Sequence, residues 1–155
     1  MLYRTLDKFF DEIDRKIINA YLQDSRLSYR EIAKRLGIAV GTVMTRTKKL
    51  ELQGIIESYS AILNHNKLGY ELTGITEIKA SKGKLVEMEK EIAKIKVTCA
   101  VYDVTGDNDA IIIAKFKNRH ELNQFTKKLL SMSFVERTNT HIVLDTIKED
   151  FRLPA

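Results

Sequence analysis

The stretch Leu27-Ser28-Tyr29-Arg30-Glu31-Ile32-Ala33-Lys34-Arg35-Leu36-Gly37 leaves the backbone few choices. Ser28 and Glu31 stand three residues apart, so each side chain can satisfy the other's unpaired backbone N–H at a helix start. Leu27 and Ile32 bracket them where a hydrophobic staple closes. The helix this predicts runs through Ala33 and Leu36 and stops at Gly37, the residue type that most readily takes a left-handed terminal conformation. A further helix is predicted from about Val40, with Val43 and Leu50 facing inward, ending before Gly54. Upstream, Asp11 can cap a helix whose apolar face is Ile13, Ile17, Ala20 and Tyr21. Two short helices joined through a glycine turn make a helix-turn-helix, plain or winged. Ala33 is small enough for a close crossing, and Ile38 and Val43 can fill the angle.

Charge is uneven along the chain. Lys and Arg number 26 against 21 Asp and Glu, a net charge of only +5. Between Ser28 and Lys49, however, Arg30, Lys34, Arg35, Arg46, Lys48 and Lys49 stand against one acid, Glu31. Such a cluster is what phosphates require, although a solvated helix surface has the same composition. A helix-turn-helix pushes its second helix outward into a major groove. The candidate DNA-contacting residues are Ser28, Tyr29 and Arg30 at the start of one helix, and Val40, Gly41, Thr42, Thr45, Arg46, Lys48 and Lys49 on the next. Arg46 is expected to contact a base edge or a phosphate, because guanidinium binds guanine bidentately. Lys48 and Lys49 are expected to hold phosphates, and Thr42 and Thr45 to meet phosphate or a thymine methyl.

The remainder alternates in type. Ile55 to Leu63 reads as a strand and linker, and Asn64 to Tyr70 as a turn-rich boundary. The expected division is a helix-turn-helix domain at 1–60, a linker strand at 61–70 and a second domain at 71–155. In the latter, Glu71–Ala80 reads as a strand with Leu72, Gly74, Thr76 and Ile78 on one side, and Ser81-Lys82-Gly83 as a loop. A helix over Lys84–Ile95 and a strand over Val97–Val104 come next. The turn Thr105–Asp109 joins that strand to another, Ala110–Phe116. Asn118 and Glu121 again have capping-box spacing and open a helix. Ser133–Arg137 connects to a last strand, Thr138–Ile147. The order β-α-β-β-α-β is ferredoxin-like, and the fold class is α+β. Two helices on one face leave the other face of the sheet bare, which predicts at least a dimer.

Other function classes find little support. No apolar run reaches the roughly 20 residues of a membrane span, and MLYRTLDKFF lacks the apolar core of a signal peptide. A cytoplasmic protein without membrane attachment is expected. The lone cysteine, Cys99, can form no internal disulfide and reads as a small buried hydrophobe in a strand. His65, His120 and His141 are scattered, so no metal site is expected. No nucleophile elbow and no phosphate-binding glycine loop is present. The chain therefore reads as a non-enzyme, with no catalytic residues and no required cofactor. Two alternatives to a sequence-specific regulator stand beside it. One is a low-specificity architectural DNA-binding protein. The other is a small-molecule-binding ferredoxin-like domain with an incidental helical extension.

Several separated motifs together resemble one family. They are Asp11-Glu12-Ile13-Asp14 with Lys16-Ile17-Ile18, Arg30 through Ile38, Thr42-Val43 with Arg46, Leu50-Glu51, Gly54-Ile55-Ile56 and Tyr59. Beyond the linker come Leu68-Gly69-Tyr70, Thr105 through Asp109, and Val135 through Thr140. In this order and spacing, from about Phe10 to Glu149, they are similar to the Lrp/AsnC (feast/famine) transcription regulators. The resemblance implies a homodimer, tetramer or octamer that binds double-stranded DNA and controls amino-acid-related genes or its own gene. Two-fold symmetry would make the DNA site near-palindromic, with half-sites about 34–36 Å apart. The family pattern also implies an amino-acid effector held near the Gly106-Asp107 turn and the start of the last strand. The candidates there are Tyr102, Gly106, Asp107, Asn108, Asp109, Thr138 and Thr140. Asp107 or Asp109 could pair with the α-amino group, and backbone N–H groups or the Thr138 and Thr140 hydroxyls could donate to the carboxylate. The same turn residues also serve purely backbone needs, and the loop lacks the glycine and distal glutamate of an EF-hand calcium site. Two departures stand out: Ala39 where a polar cap usually opens the recognition helix, and Thr47 where an apolar residue is usual.

Overall fold

A computed structural model describes residues 11–81 and 83–155. The leader reading of Met1–Phe10 and the loop position of Lys82 lie outside the described residues. The chain divides into two compact units, residues through Ile62 joined by Glu149–Ala155, and Leu63–Lys148.

The first unit holds α1 (Glu12–Gln23), α2 (Tyr29–Leu36) and α3 (Val40–Leu52). Asp11 caps α1, accepting from the N–H groups of Ile13 and Asp14. The Ser28–Glu31 box opens α2: Glu31 Oε2 accepts the Ser28 N–H at 2.7 Å, and Ser28 Oγ accepts the Glu31 N–H at 3.3 Å. Gly37 ends α2 with φ 67°, the left-handed conformation expected of it. Ala39 gives α3 no side-chain cap. Ile17, Ala20, Leu27, Ile32, Ala33, Val43 and Leu50 form the core, which includes both staple residues.

Two expectations are corrected around this unit. The strand expected within Ile55–Leu63 does not form. The Ile55 and Ile56 N–H groups donate to the Leu50 carbonyl at the end of α3, and among the described residues the segment enters no ladder, without which an extended segment is no strand. Tyr59 instead fastens the segment to α3, donating its hydroxyl to Glu51 Oε1 at 2.9 Å and meeting Tyr21 edge-on at 5.2 Å. The last residues, expected in the second domain, pack on the first. Asn19 accepts the Ala155 N–H at 3.1 Å, and Arg152 donates to the Leu22 carbonyl at 3.3 Å.

The second unit has β1 (Leu72–Ala80), α4 (Leu85–Ala93), β2 (Thr98–Asp103), β3 (Ala110–Phe116), α5 (Arg119–Leu130) and β4 (Val135–Ile142). The sheet order is β2-β3-β1-β4, all neighbours antiparallel, the ferredoxin-like arrangement. Alternation sends Gly74, Thr76, Ile78 and Ala80 of β1 inward with Ala110, Ile112, Ala114 and Phe116 of β3, to a core completed by Met88, Ile92, Phe125 and Leu129. A Cβ on Gly74 would come 3.2 Å from the Phe116 ring, so any larger residue there would push that ring aside by a few tenths of an ångström.

The last strand begins three residues earlier than expected and stops at Ile142. It needs β1 as its partner, and β1 begins at Leu72. The final bond beyond Ile142 is the Val143 N–H to the Thr73 carbonyl, one residue from the start of β1. Cys99 is exposed rather than buried, because β2 has a register shift between Thr98 and Ala100 that lifts it out of the alternation. The second capping box is only half closed. Asn118 caps α5 by accepting the Glu121 N–H, but Glu121 Oε2 takes the N–H of Lys117 rather than that of Asn118.

Candidate nucleic-acid interface and effector pocket

The surface of α3 divides into three stripes. At 3.6 residues per turn, Val43, Thr47 and Leu50 fall on one side and are buried. Gly41, Met44, Thr45 and Lys48 fall opposite and are exposed, with Val40 beside them at the helix start. Met44 was absent from the sequence candidates; its i+3 step from Gly41 and i+4 step to Lys48 were the available signal. Thr42, Arg46 and Lys49 form the flank between, at i, i+4 and i+7.

That flank meets the start of α1. Asp11 and Asp14 cap each other, the Asp14 N–H donating to Asp11 Oδ1 at 3.0 Å and the Asp11 N–H to Asp14 Oδ2 at 3.1 Å. This reciprocal box places two carboxylates side by side, and Asp14 is fully buried. A buried carboxylate is tolerated only with a cationic partner. Arg46 Nη1 supplies it, 2.6 Å from Asp11 Oδ2 and 2.9 Å from Asp14 Oδ1, with Lys49 Nζ 3.7 Å from Asp14. The guanidinium beside it is the main reason the Asp11 carboxyl sits below the usual carboxylate range. The Arg46 side chain, 27% exposed, is thus held by α1 rather than standing clear along the outward stripe.

Of the α2 candidates, Ser28 is occupied by its cap, Tyr29 is half-buried against the core and Arg30 is exposed. Lys34 and Arg35 are exposed nearby and carry the remaining positive charge of this segment.

The effector candidates separate. Asp109 is committed to β1, accepting the Ala80 N–H at 2.8 Å and Lys79 Nζ at 3.1 Å. Thr140 shares a 3.0 Å hydrogen bond with Thr76 on the helix-covered face, and Thr138 pairs with Ile78 on that same face. Asp107 and Asn108 instead line a cavity of about 600 Å³ with Glu77, Asp103, Val104, Thr105 and Ile111. Gly106 and Tyr102 are exposed. Glu77, not among the sequence candidates, anchors this region: its Oε2 accepts from Asn108 and Asn139 at 3.2 Å each, with His141 at 3.7 Å. Cross-strand register brings those groups together, and no spacing along the chain reveals it. Among the described residues no cluster of His, Cys, Asp or Glu could hold a metal ion, and no helix is long and apolar enough to cross a membrane.

A helix-turn-helix followed by a ferredoxin-like domain defines a class of DNA-binding transcription regulator. Residues 10–57 match the family model for winged helix-turn-helix DNA-binding, and residues 73–153 match that for the Lrp/AsnC ligand binding domain. The chain is 55% identical to an uncharacterized HTH-type transcriptional regulator of Pyrococcus abyssi, over 92% of this chain and 97% of the other. It is 40% identical to the HTH-type transcriptional regulator FL11 of the same organism, over 93% and 95%. Among solved structures, transcriptional regulator NMB0573 of Neisseria meningitidis, in complex with L-Met, superposes with a TM-score of 0.86 at 25% identity, covering 94% of this chain and 96% of that one. AsnC of E. coli has the same fold, with a TM-score of 0.84 at 23% identity over 91% and 96%. The protein belongs to the Lrp/AsnC family of DNA-binding transcription regulators, and its relatives are regulators rather than enzymes.

Proposed function

We propose that the protein reads a near-palindromic duplex site as a homodimer or a larger assembly of dimers, and that an amino acid modulates it. The observation that carries this is the outward stripe of α3: small at Gly41 and Thr45, apolar at Val40 and Met44, cationic at Lys48. Small side chains let the helix backbone approach base edges, and the methyl groups of Val40, Met44 and Thr45 suit thymine. The uncapped first turn of α3 leaves N–H groups for a phosphate oxygen. Arg30, Lys34, Arg35 and Lys48 would hold the backbone on either side.

Assembly follows from the sheet. Ile75, Ile111, Ile113, Ala100 and Tyr102 lie on the face opposite the helices. A second copy is the occupant favoured by the two-fold symmetry of such regulators. For the effector, the cavity lined by Glu77, Asp107 and Asn108 supports an amino-acid ligand, as does the methionine bound by the Neisseria relative. Control of amino-acid-related genes, or of its own gene, belongs to the same proposal.

Enrichment of duplexes from a random pool, followed by competition with bulk genomic DNA, tests it. A specific reader returns one enriched near-palindrome and binds it roughly 10³-fold or more tighter than bulk DNA. Equal affinity for all duplexes at fixed salt would mark a low-specificity architectural protein instead.

A further inference from the structure

We infer that Asp11, Asp14 and Arg46 form a clasp that sets the pitch of α3 on the duplex, and that Arg46 is a positioning residue which touches no nucleic acid. The inference rests on the DNA-reading proposal for α3 and assigns the flank of that helix a role distinct from its outward stripe. One guanidinium nitrogen serves three oxygens of two carboxylates, at 2.6, 2.6 and 2.9 Å. Turning Arg46 toward DNA would leave Asp14, fully buried, beside Asp11 with only Lys49 at 3.7 Å to offset both charges. Binding DNA through Arg46 would therefore require breaking a buried ion pair, which costs more than one phosphate contact returns. Thr42, Arg46 and Lys49 share a flank that faces α1, whereas Gly41, Met44, Thr45 and Lys48 face away from the core. The clasp also joins the cap of α1 to the middle of α3, across a helix pair that otherwise packs through apolar, non-directional contacts and the 3.7 Å approach of Lys49 to Asp14.

The clasp makes a prediction of unusual sign. Removing a surface acid from a DNA-binding domain ordinarily strengthens binding, because one repulsion of phosphate is lost. Asp11→Asn keeps a good helix cap and leaves the Asp14–Arg46 pair, so the domain should still fold, yet it removes half of the clasp. Dissociation constants for an enriched duplex should be measured across a salt series for wild type, Asp11→Asn, Arg46→Lys, Arg46→Ala and, as a phosphate-contact control, Lys48→Ala. The clasp predicts that Asp11→Asn weakens binding several-fold, and that the Arg46 variants weaken it with the wild-type salt slope. Only Lys48→Ala should lower that slope, by about 0.9. Tighter or unchanged binding by Asp11→Asn, or a slope reduced in Arg46→Ala, overturns the inference. Wild-type protein that ignores DNA would instead overturn the DNA-reading proposal. Hydrogen exchange at the α3 amides would then decide the clasp: faster in Asp11→Asn supports it, and unchanged rates refute it.

Discussion

The carboxylate of Asp109 accepts the backbone N–H of Ala80 at 2.8 Å, which fastens the β2–β3 turn to the adjacent strand β1. The Asp109 N–H donates in turn to the Ile78 carbonyl at 2.9 Å. The turn is therefore braced on the side where Asp109 sits, while Asp107 and Asn108 are left to line the cavity. Two neighbouring acids, alike in sequence, have been given different tasks by register alone.

Asp109→Ala should loosen the turn. Amide exchange at Ala80 should accelerate and the melting temperature should fall, with no change in the first unit. The Ala80 N–H, and secondly Lys79, hold the Asp109 carboxyl below its ordinary range of about 4. A carboxyl whose folded pKa is lowered stabilises the protein fully above its unfolded pKa, and that contribution is lost as pH falls through the folded value. The difference in stability between wild type and Asp109→Ala should hold constant at neutral pH and shrink below about pH 4. A difference that persists undiminished in strong acid would show that the charge is not what braces the turn.

Thr47 is fully buried, and among the described residues its hydroxyl oxygen meets no partner in hydrogen-bonding geometry, although the Tyr21 hydroxyl lies near it. An unpaired buried hydroxyl costs about 1–3 kcal/mol. Thr47→Val keeps the shape and removes the polar atom, so chemical denaturation should show a gain of roughly 1 kcal/mol. A loss of stability would mean that the hydroxyl is bonded in solution.

Ser28→Ala removes the oxygen that accepts the Glu31 N–H and leaves the α2 start uncapped. The expected loss is about 1 kcal/mol from the first unit. DNA affinity should fall only when the experiment is run near that unit's melting temperature. A large loss at low temperature would give Ser28 a direct phosphate contact instead.

Ile113→Glu places a charge in the middle of the bare sheet face, between Ile75 of β1 and Ala100 of β2. Sedimentation equilibrium should move from dimer or larger to monomer, since a charge buried there without a partner is prohibitive. An unchanged mass would put the dimer contact elsewhere.

Much of this architecture was legible in the chain. Ser28–Glu31, Gly37 and the period of Ile17, Ile32 and Val43 are local signals, and local signals survive into the fold because they act through the backbone within a few residues. The alternation of β1 and β3 was equally plain. What escaped was long-range. The contacts of Arg46 with Asp11 and Asp14 were not visible because those partners lie more than thirty positions earlier. Thr138 and Thr140 were grouped with the turn, although pairing with β1 turns them to the opposite face. Glu77 was passed over because the three groups around it come from β4 and the β2–β3 turn. Strand ends were misplaced where pairing, not composition, decides them, as at Val135 and Ile142.

Selection of duplexes by the wild-type protein, repeated with Thr45→Ala and Met44→Ala, tests the central claim most directly, that the outward stripe of α3 reads sequence. The account predicts one enriched near-palindrome for wild type, with half-sites about 10–10.5 base pairs apart. It also predicts preference relaxed at one or two positions of each half-site in the variants, at a discrimination of about 1–3 kcal/mol per pair. Recovery of the same unselected pool by all three proteins, with equal affinity throughout, would contradict it.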